Sequence, residues 1–350
     1  MLTLRAPDLV LLVEAIMRGV GCAPAEAQAV ATRLVDANCV GHESHGVIRV
    51  AKYVSWVRDG TLRPNTAATV VVDTPTLAIV DGNRGFGQVI GEYATRLGVA
   101  KAAECGIALI GLRNCGHLGR VGDWAELAAA AGQVSLHFLN TSGAQRVAPF
   151  GGTDRRLSTN PITIGVPVQG AEPVILDVTT STVAEGKLMV AVNRDEPVPE
   201  GWIIDRQGRP TTDPKEFYDG GALLTIGGHK GSGLSIVTDL LAGAITTGRS
   251  SDPHDTVLRN NMLSIYIAPH VYAPDGSVAR EARRFVDWVK ASPPAVRGGE
   301  VLAPGDIERR MRAARMRDGV PIDDKTWTDL HEAARSVGLD DAQVKAIAGR

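Results

Sequence analysis

Four cysteines in 350 residues, Cys22, Cys39, Cys105 and Cys115, with no CxxC spacing among them, make up the whole thiol inventory of this sequence. That excludes a disulfide-stapled secreted scaffold and a cysteine-built zinc site, and it predicts a reduced, cytoplasmic protein. An excess of one charge is missing too: 37 Lys plus Arg stand against 39 Asp plus Glu. With no run of like charge, nothing draws the chain to nucleic acid or an anionic membrane, and small molecules become the expected partners. No apolar stretch approaches the roughly 20 residues of a membrane span. The short run Leu9 to Val13 is bracketed by Asp8 and Glu14, and no small-residue cleavage site follows. Aromatic residues make up only 4%, whereas glycines number 39. That balance predicts close backbone approaches and many tight turns, the texture of a compact enzyme.

Two motif absences narrow the class further. No GxGxxG follows a strand with an acidic residue about 20 positions on, so a Rossmann dinucleotide fold is not supported. Lys230 in Gly228-His229-Lys230-Gly231 is followed by glycine where a Walker loop needs Ser or Thr. The glycines before Lys230 and a helix expected from about Gly233 would still gather N–H groups and an ammonium around one anion, such as a phosphate.

What is present is a helical start and end around a mixed centre. Apolar spacing predicts helices at 7–20, 24–38 and about 47–58, the last stopped by Asp59-Gly60. Strands are expected at 68–72, 76–80, 107–112, 134–140, 162–166 and 174–178, with a helix at about 86–104. Helices return at 233–246 and from 280 onward, including 307–316 and 327–337. The predicted fold class is α/β with a mixed central sheet. Residues 1–65 are expected to pack with C-terminal helices of 280–350, and 66–279 to form a central cofactor- and substrate-binding domain.

Titratable groups concentrate at two junctions. Gly41 to Arg49 reads GHESHGVIR, and a helix beginning near His45 would place His45 and Arg49 on one face, four residues apart. A guanidinium fork holding a carboxylate beside a neutral imidazole suits hydroxy-acid chemistry. The second junction is Arg113 to Gly119, where His117 lies between glycines after a strand. The alternative is a metal-dependent hydrolase or lyase using His42, His45 and His117 as nitrogen ligands, although no HExxH or carboxylate at ligand spacing accompanies them. Further on, Ser142, Thr159-Asn160-Pro161 and Asp177 with Thr179 to Ser181 supply hydroxyls, amides and a carboxylate suited to ribose and amide recognition.

Taken in order, several blocks resemble the type-2 malate/L-lactate dehydrogenase family. They are Gly41 to Gly46 with Arg49 and Tyr53, Asp81-Gly82 through Gly87, Gly116 to Gly119, Pro149 to Gly152, Thr159 to Pro161, Asp177 to Ser181 with Gly186-Lys187, Gly228 to Gly231, and Pro304-Gly305. The resemblance implies a non-Rossmann nicotinamide-binding fold, a homodimer, and NAD or NADP as cofactor. It implies hydride transfer to or from a small 2-hydroxy acid, 2-oxo acid or cyclic imino acid. His45 and His117 are the acid/base candidates it points to, Arg49 the carboxylate anchor, and Asp177 the group that would orient an imidazole. Ser142, Thr159, Asn160, Asp177, Val178, Thr179, Lys230, Pro304, Gly305 and Asp306 fall at its cofactor positions, and no metal is implied. Ser158, Cys115, His229 and Ser232 depart from the pattern along the cofactor and substrate walls.

Overall fold

The computed structural model describes residues 2–349. A short strand β1 (Leu2–Leu4) leads into α1 (Ala6–Gly19) and α2 (Pro24–Cys39), each with proline in its first turn, where a missing N–H costs nothing. Two 3-10 turns, Glu43–His45 and Val47–Arg49, precede α3 (Val50–Arg58). The mixed region then runs β2 (Thr69–Asp73), β3 (Leu77–Asp81), α4 (Gly87–Cys105), β4 (Ile107–Cys115), α5 (Gly122–Ala130), β5 (Val134–Ser142), β6 (Ile162–Val166) and β7 (Val174–Val178). After it come α6 (Glu185–Arg194), β8 (Ile203–Ile204), β9 (Pro210–Thr211), α7 (Pro214–Tyr218), β10 (Ala222–Leu223), α8 (His229–Asp239), which continues into a π-helical turn at Leu240–Ile245, and β11 (Arg259–Ile267). The chain closes with α9 (Ser277–Lys290), α10 (Asp306–Asp318), β12 (Val320–Ile322), α11 (Asp324–Ser336) and α12 (Asp341–Ile347).

Seven strands form the central sheet in the order β2-β3-β4-β11-β5-β6-β7. Only β3 and β4 pair in parallel, through the crossover helix α4, and every other neighbour is antiparallel. The sheet is therefore mixed, as the sequence predicts, and is not the doubly wound parallel sheet of a Rossmann domain. The strand the pattern did not reveal is β11, which occupies the middle. Its run Arg-Asn-Asn-Met-Leu-Ser-Ile-Tyr-Ile is buried at Asn260 to Ser264 without a break, so the polar–apolar alternation that marks a half-exposed strand is absent.

The apolar core falls into separate clusters. One joins α1, α2 and α3 to Leu330, Ala333, Ala334 and Val344 of the last two helices, and β1 pairs with β12 across it. A second lies between the sheet and α4 and α5, around Ile90, Ile110, Leu112, Trp124 and Tyr266. A third holds the small β8–β10 sheet to α6 and α7 through Val147, Leu188, Ile203, Phe217 and Leu223. Helix α9 joins none of them: it has no buried residue, and it meets the 169–170 turn through Gln169 N–H donating to Ala279 O at 3.1 Å. No described helix is long and apolar enough to cross a membrane.

Candidate active site

The first junction is built around Asn38, the penultimate residue of α2. Its Oδ1 accepts the Val47 N–H at 2.7 Å, and a Cβ on Gly46 would lie 2.0 Å from that oxygen, so only glycine lets the chain turn there. Gly46 takes φ −90° and ψ −152°, which breaks the helix. The helix expected from about Val47 begins only at Val50, and the condition that it start near His45 is not met: two separate turns precede it, with His45 ending the first and Arg49 ending the second. Arg49 folds back across the break, its Nε donating to Ser44 O at 2.6 Å. Above this turn, α6 comes so near that a Cβ on Gly186 would lie 2.8 Å from Ser44 Cβ.

The second junction is brought against the first by α4. Beyond β4 the chain passes over the start of that helix, where a Cβ on Gly87 would meet His117 O at 2.1 Å. Leu118 N–H donates to Asn260 Oδ1 at 2.8 Å, tying this loop to the central strand β11. His117 Nε2 then lies 3.2 Å from His45 Nδ1, with the rings nearly parallel at 4° and their centroids 5.3 Å apart. Its other nitrogen, Nδ1, is 2.7 Å from Tyr53 Oη, and Gln88 Nε2 donates to the same oxygen at 2.8 Å. Two histidines separated by 72 positions in the chain thus share one hydrogen bond.

Electrostatics make both imidazoles neutral. Burial, reinforced by the Arg49 guanidinium and His42, pushes His45 down to about 3. His117 is held well below the usual histidine value by burial, then by Arg49 and His45. Burial also raises the Tyr53 phenol, which stays protonated throughout the working range. Arg49 forms no ion pair among the described residues; burial lowers its pKa, with Tyr53 and Glu185 acting in the opposite direction. A partly buried guanidinium with no carboxylate, beside two neutral imidazoles, is a place where an anionic group gains a fork of donors and a proton acceptor together.

The remaining expected residues scatter. Asp177 meets no imidazole, which corrects its expected orienting role: Thr163 Oγ1 donates to Oδ1 at 2.9 Å, Gly122 N–H donates to Oδ2 at 2.9 Å, and Arg120 Nε is 3.7 Å away. Both of its oxygens are turned toward these partners, and no histidine lies among them. Asn160, at φ 33°, gives its amide nitrogen to Ser235 and Asp239 of α8. Thr159 O receives Thr180 N–H, Thr179 Oγ1 bonds Ser181, and Val178 is exposed. Ser142, at the end of β5, is fully buried and its hydroxyl has no partner. Lys230 is exposed at the second residue of α8, which begins at His229 and not near Gly233 as expected. Pro304 O accepts Ile175 N–H, and Gly305 caps α10 at φ 94°. Asp306 is taken up by Lys290, Ala303 N–H and Arg309, and these hold its carboxyl down to about 2 against the cost of burial.

The metal alternative loses its third ligand. His42 Nε2 turns to Glu308 Oε1 at 3.5 Å, away from the His45–His117 bond, and among the described residues the three histidines do not gather within reach of a single ion. Two residues of the cluster escaped functional assignment from sequence. Tyr53 follows Arg49 by one helical turn, a spacing that could have flagged it, whereas nothing local marks Gln88.

Comparison with known proteins shows the family. The family model for malate/L-lactate dehydrogenase matches residues 4–331, and the chain belongs to that family; it is an oxidoreductase acting on CH–OH groups. Hydroxycarboxylate dehydrogenase B of Escherichia coli (strain K12) is 39% identical over 344 residues, covering 96% of this chain and 94% of the relative. The solved sulfolactate dehydrogenase from Methanocaldococcus jannaschii superposes with a TM-score of 0.86 at 31% identity, covering 97% of this chain and 98% of its own. Delta1-piperideine-2-carboxylate reductase from Pseudomonas syringae gives a TM-score of 0.84 at 30% identity over 95% of this chain and all (100%) of its own.

Proposed function

We propose that this chain is an NAD- or NADP-dependent dehydrogenase that interconverts a small 2-hydroxy acid with its 2-oxo acid. The observation that carries the reading is Arg49, a partly buried guanidinium without a carboxylate partner, held beside the neutral His45–His117 pair. Arg49 grips the substrate carboxylate with both arms of its fork, which places the neighbouring carbon and its hydroxyl against the imidazoles. His45 takes the hydroxyl proton on Nε2, the nitrogen not engaged with His117, and the positive charge is then shared across the 3.2 Å bond. A carboxylate on Arg49 also cancels one of the charges that depress both histidines, so their basicity rises when substrate is bound. In the reductive sense the same imidazolium returns the proton.

The residues present fit a nicotinamide cofactor. Ser142 offers an unpartnered buried hydroxyl, and Lys230 offers an exposed ammonium behind Gly227 and Gly228, both at positive φ. A bound nicotinamide supplies the hydride acceptor or donor at its C4. Lys230 would hold its phosphates, with Ser142, Thr179 and the 304–305 turn as further contacts. We place the enzyme in the cytoplasm, with residues 66–279 as the cofactor- and substrate-binding domain. A homodimer is the proposed assembly, because Leu234, Val237, Leu240 and Ile245 expose about half of their surface along α8 and its π turn.

Reduction of a cyclic imino acid is a second reading, favoured by the likeness to the Pseudomonas reductase; such a substrate also carries a carboxylate for Arg49. Both are tested by one screen. Purified protein is offered 2-hydroxy acids, 2-oxo acids and cyclic imino acids with each nicotinamide, and absorbance of the reduced cofactor is followed. Turnover confined to carboxylate-bearing substrates is the expected result, and equal turnover of carboxylate-free alcohols would overturn the reading.

A further inference from the structure

The chain of hydrogen bonds does not end at Tyr53. Gln88, buried in the first turn of α4, donates from Nε2 to Tyr53 Oη at 2.8 Å, while its Oε1 is buried with no partner. Each link in Gln88–Tyr53–His117–His45 holds one proton, and each neutral imidazole carries only one N–H. Among the described residues the Tyr53 hydroxyl has no other acceptor, so an N–H arriving from Gln88 turns the phenol's own proton onto His117, and the direction of the first link sets the others. With the amide nitrogen on Tyr53, the phenol donates to His117 Nδ1, His117 donates from Nε2 to His45 Nδ1, and His45 must carry its own proton on Nε2. In that state its outer nitrogen cannot accept a proton. A half-turn of the amide puts Oε1 on Tyr53 and reverses every link, leaving a lone pair on His45 Nε2.

We propose that Gln88 is a positioning residue whose amide orientation decides whether His45 offers an N–H or a lone pair to the substrate. This rests on His45 being the acid/base of the proposed reaction. Two features suit a glutamine here. It is both donor and acceptor at one end of a planar group, so either direction of the chain can terminate on it. The unpaired Oε1 means that each orientation keeps one bond to Tyr53 and leaves one buried end unmet, so neither wins by a large margin. Tyr53 transmits the setting without ionising.

The test reads the His45 tautomer directly, by ¹⁵N shifts of its ring nitrogens in histidine-labelled protein near pH 7.5. Wild type should show both Nε2–H and Nδ1–H forms. Gln88→Met leaves the Tyr53 hydroxyl no partner but His117 and should move His45 wholly to Nε2–H. Gln88→Glu keeps an acceptor for the phenol and should move the population toward Nδ1–H. Identical His45 shifts in all three proteins would overturn the proposal. Kinetics give an independent arm. Gln88→Met should lower kcat for hydroxy-acid oxidation roughly ten-fold at unchanged KM, and Gln88→Glu should restore most of it. Adding Gln88→Met to Tyr53→Phe should cost nothing further, whereas additive losses would refute the relay. If wild type oxidises no hydroxy acid, the functional reading fails while the ¹⁵N comparison still decides the role of Gln88.

Discussion

Two polar clusters lie close together in the chain, and they differ in whether their charges close. Around Arg120 they do. Its guanidinium bonds Asp123 at 3.0 Å and Glu126 at 2.8 Å and faces Asp177, while Arg312 spans Asp36 and Glu126, and Arg33 reaches Asp123. The oxygens of Asp36, Asp123 and Glu126 come within 4.8 Å of one another, a spacing a cation could fill, but arginines already neutralise them. Around His117 the charges stay open: Arg49 has no anion, and His45 and His117 are both neutral. A closed cluster holds helices α2, α5 and α10 in place; an open one keeps its unmatched charge for a ligand.

The sharpest way to break this contrast is to remove an imidazole. His45→Asn should lower kcat by roughly 10²–10⁴ and abolish the limb of the pH–rate profile that it sets. His117→Asn should act more through binding, since His117 is buried behind His45, at 8% exposure. If the limb survives in His45→Asn and vanishes in His117→Asn, the roles exchange. In the closed cluster the damage should fall on stability instead. Arg120→Met removes the buried cation that Asp123, Glu126 and Asp177 share, leaving Asp123 only Arg33 and Glu126 only Arg312, and urea denaturation should show a loss of about 3–5 kcal/mol, with KM of the remaining folded enzyme unaltered.

Smaller effects sharpen the comparison. Lys230→Met should weaken nicotinamide binding by on the order of 1.5–3 kcal/mol, the loss of a charge-assisted hydrogen bond, as read by fluorescence titration. Acid should expose the open cluster's neutral histidines. Burial holds His45 at about 3 and His117 well below its normal value, and it does the same, to about 3, for His137, which bonds Ser135 and Ser264 inside the central sheet apart from that cluster, whereas an unfolded histidine titrates near 6.5. Below that value the unfolded chain binds more protons than the folded one. Stability is therefore full above about 6.5 and falls toward pH 3, approaching about 1.4 kcal/mol per pH unit for each imidazole. Melting temperatures flat between pH 7 and 4.5 would contradict this. Arg49→Lys keeps charge and loses the fork, so KM for a 2-oxo acid should rise roughly five-fold with cofactor affinity unchanged. An equal rise for a ketone without a carboxylate would assign Arg49 another task.

The same contrast explains what the sequence could reveal. His45 and His117 stood out because each lies at a glycine-flanked junction, and Arg49 because it follows His45 by four residues; the strands at 162–166 and 174–178 are found where the pattern put them. The three-dimensional meeting of His45 with His117 rests on Gly87, whose lack of a side chain lets the second loop descend, and nothing local in the sequence announces that. Asp177 was misread because its competitor, Arg120, lies 57 positions away and looks like any arginine. Helix α5 went unseen between two polar loops, although Asp123 in its first turn and Gly132 beyond its end are ordinary helix signals. β11 was hidden by its own burial.

That hidden strand also sets a schedule for synthesis. β4 and β5 leave the ribosome early with a vacant slot between them, and the strand that fills it, Arg259–Ile267, emerges only after the whole of the β8–β10 subassembly and α8. At a synthesis rate of about 5–20 residues per second the wait is roughly ten seconds. During it, the facing edges of β4 and β5 present unpaired N–H and C=O groups with apolar side chains such as Ile110, Leu112 and Leu139 alongside. The nascent chain is thus most exposed to wrong pairing at the seam that later carries Asn260 and braces the His117 loop.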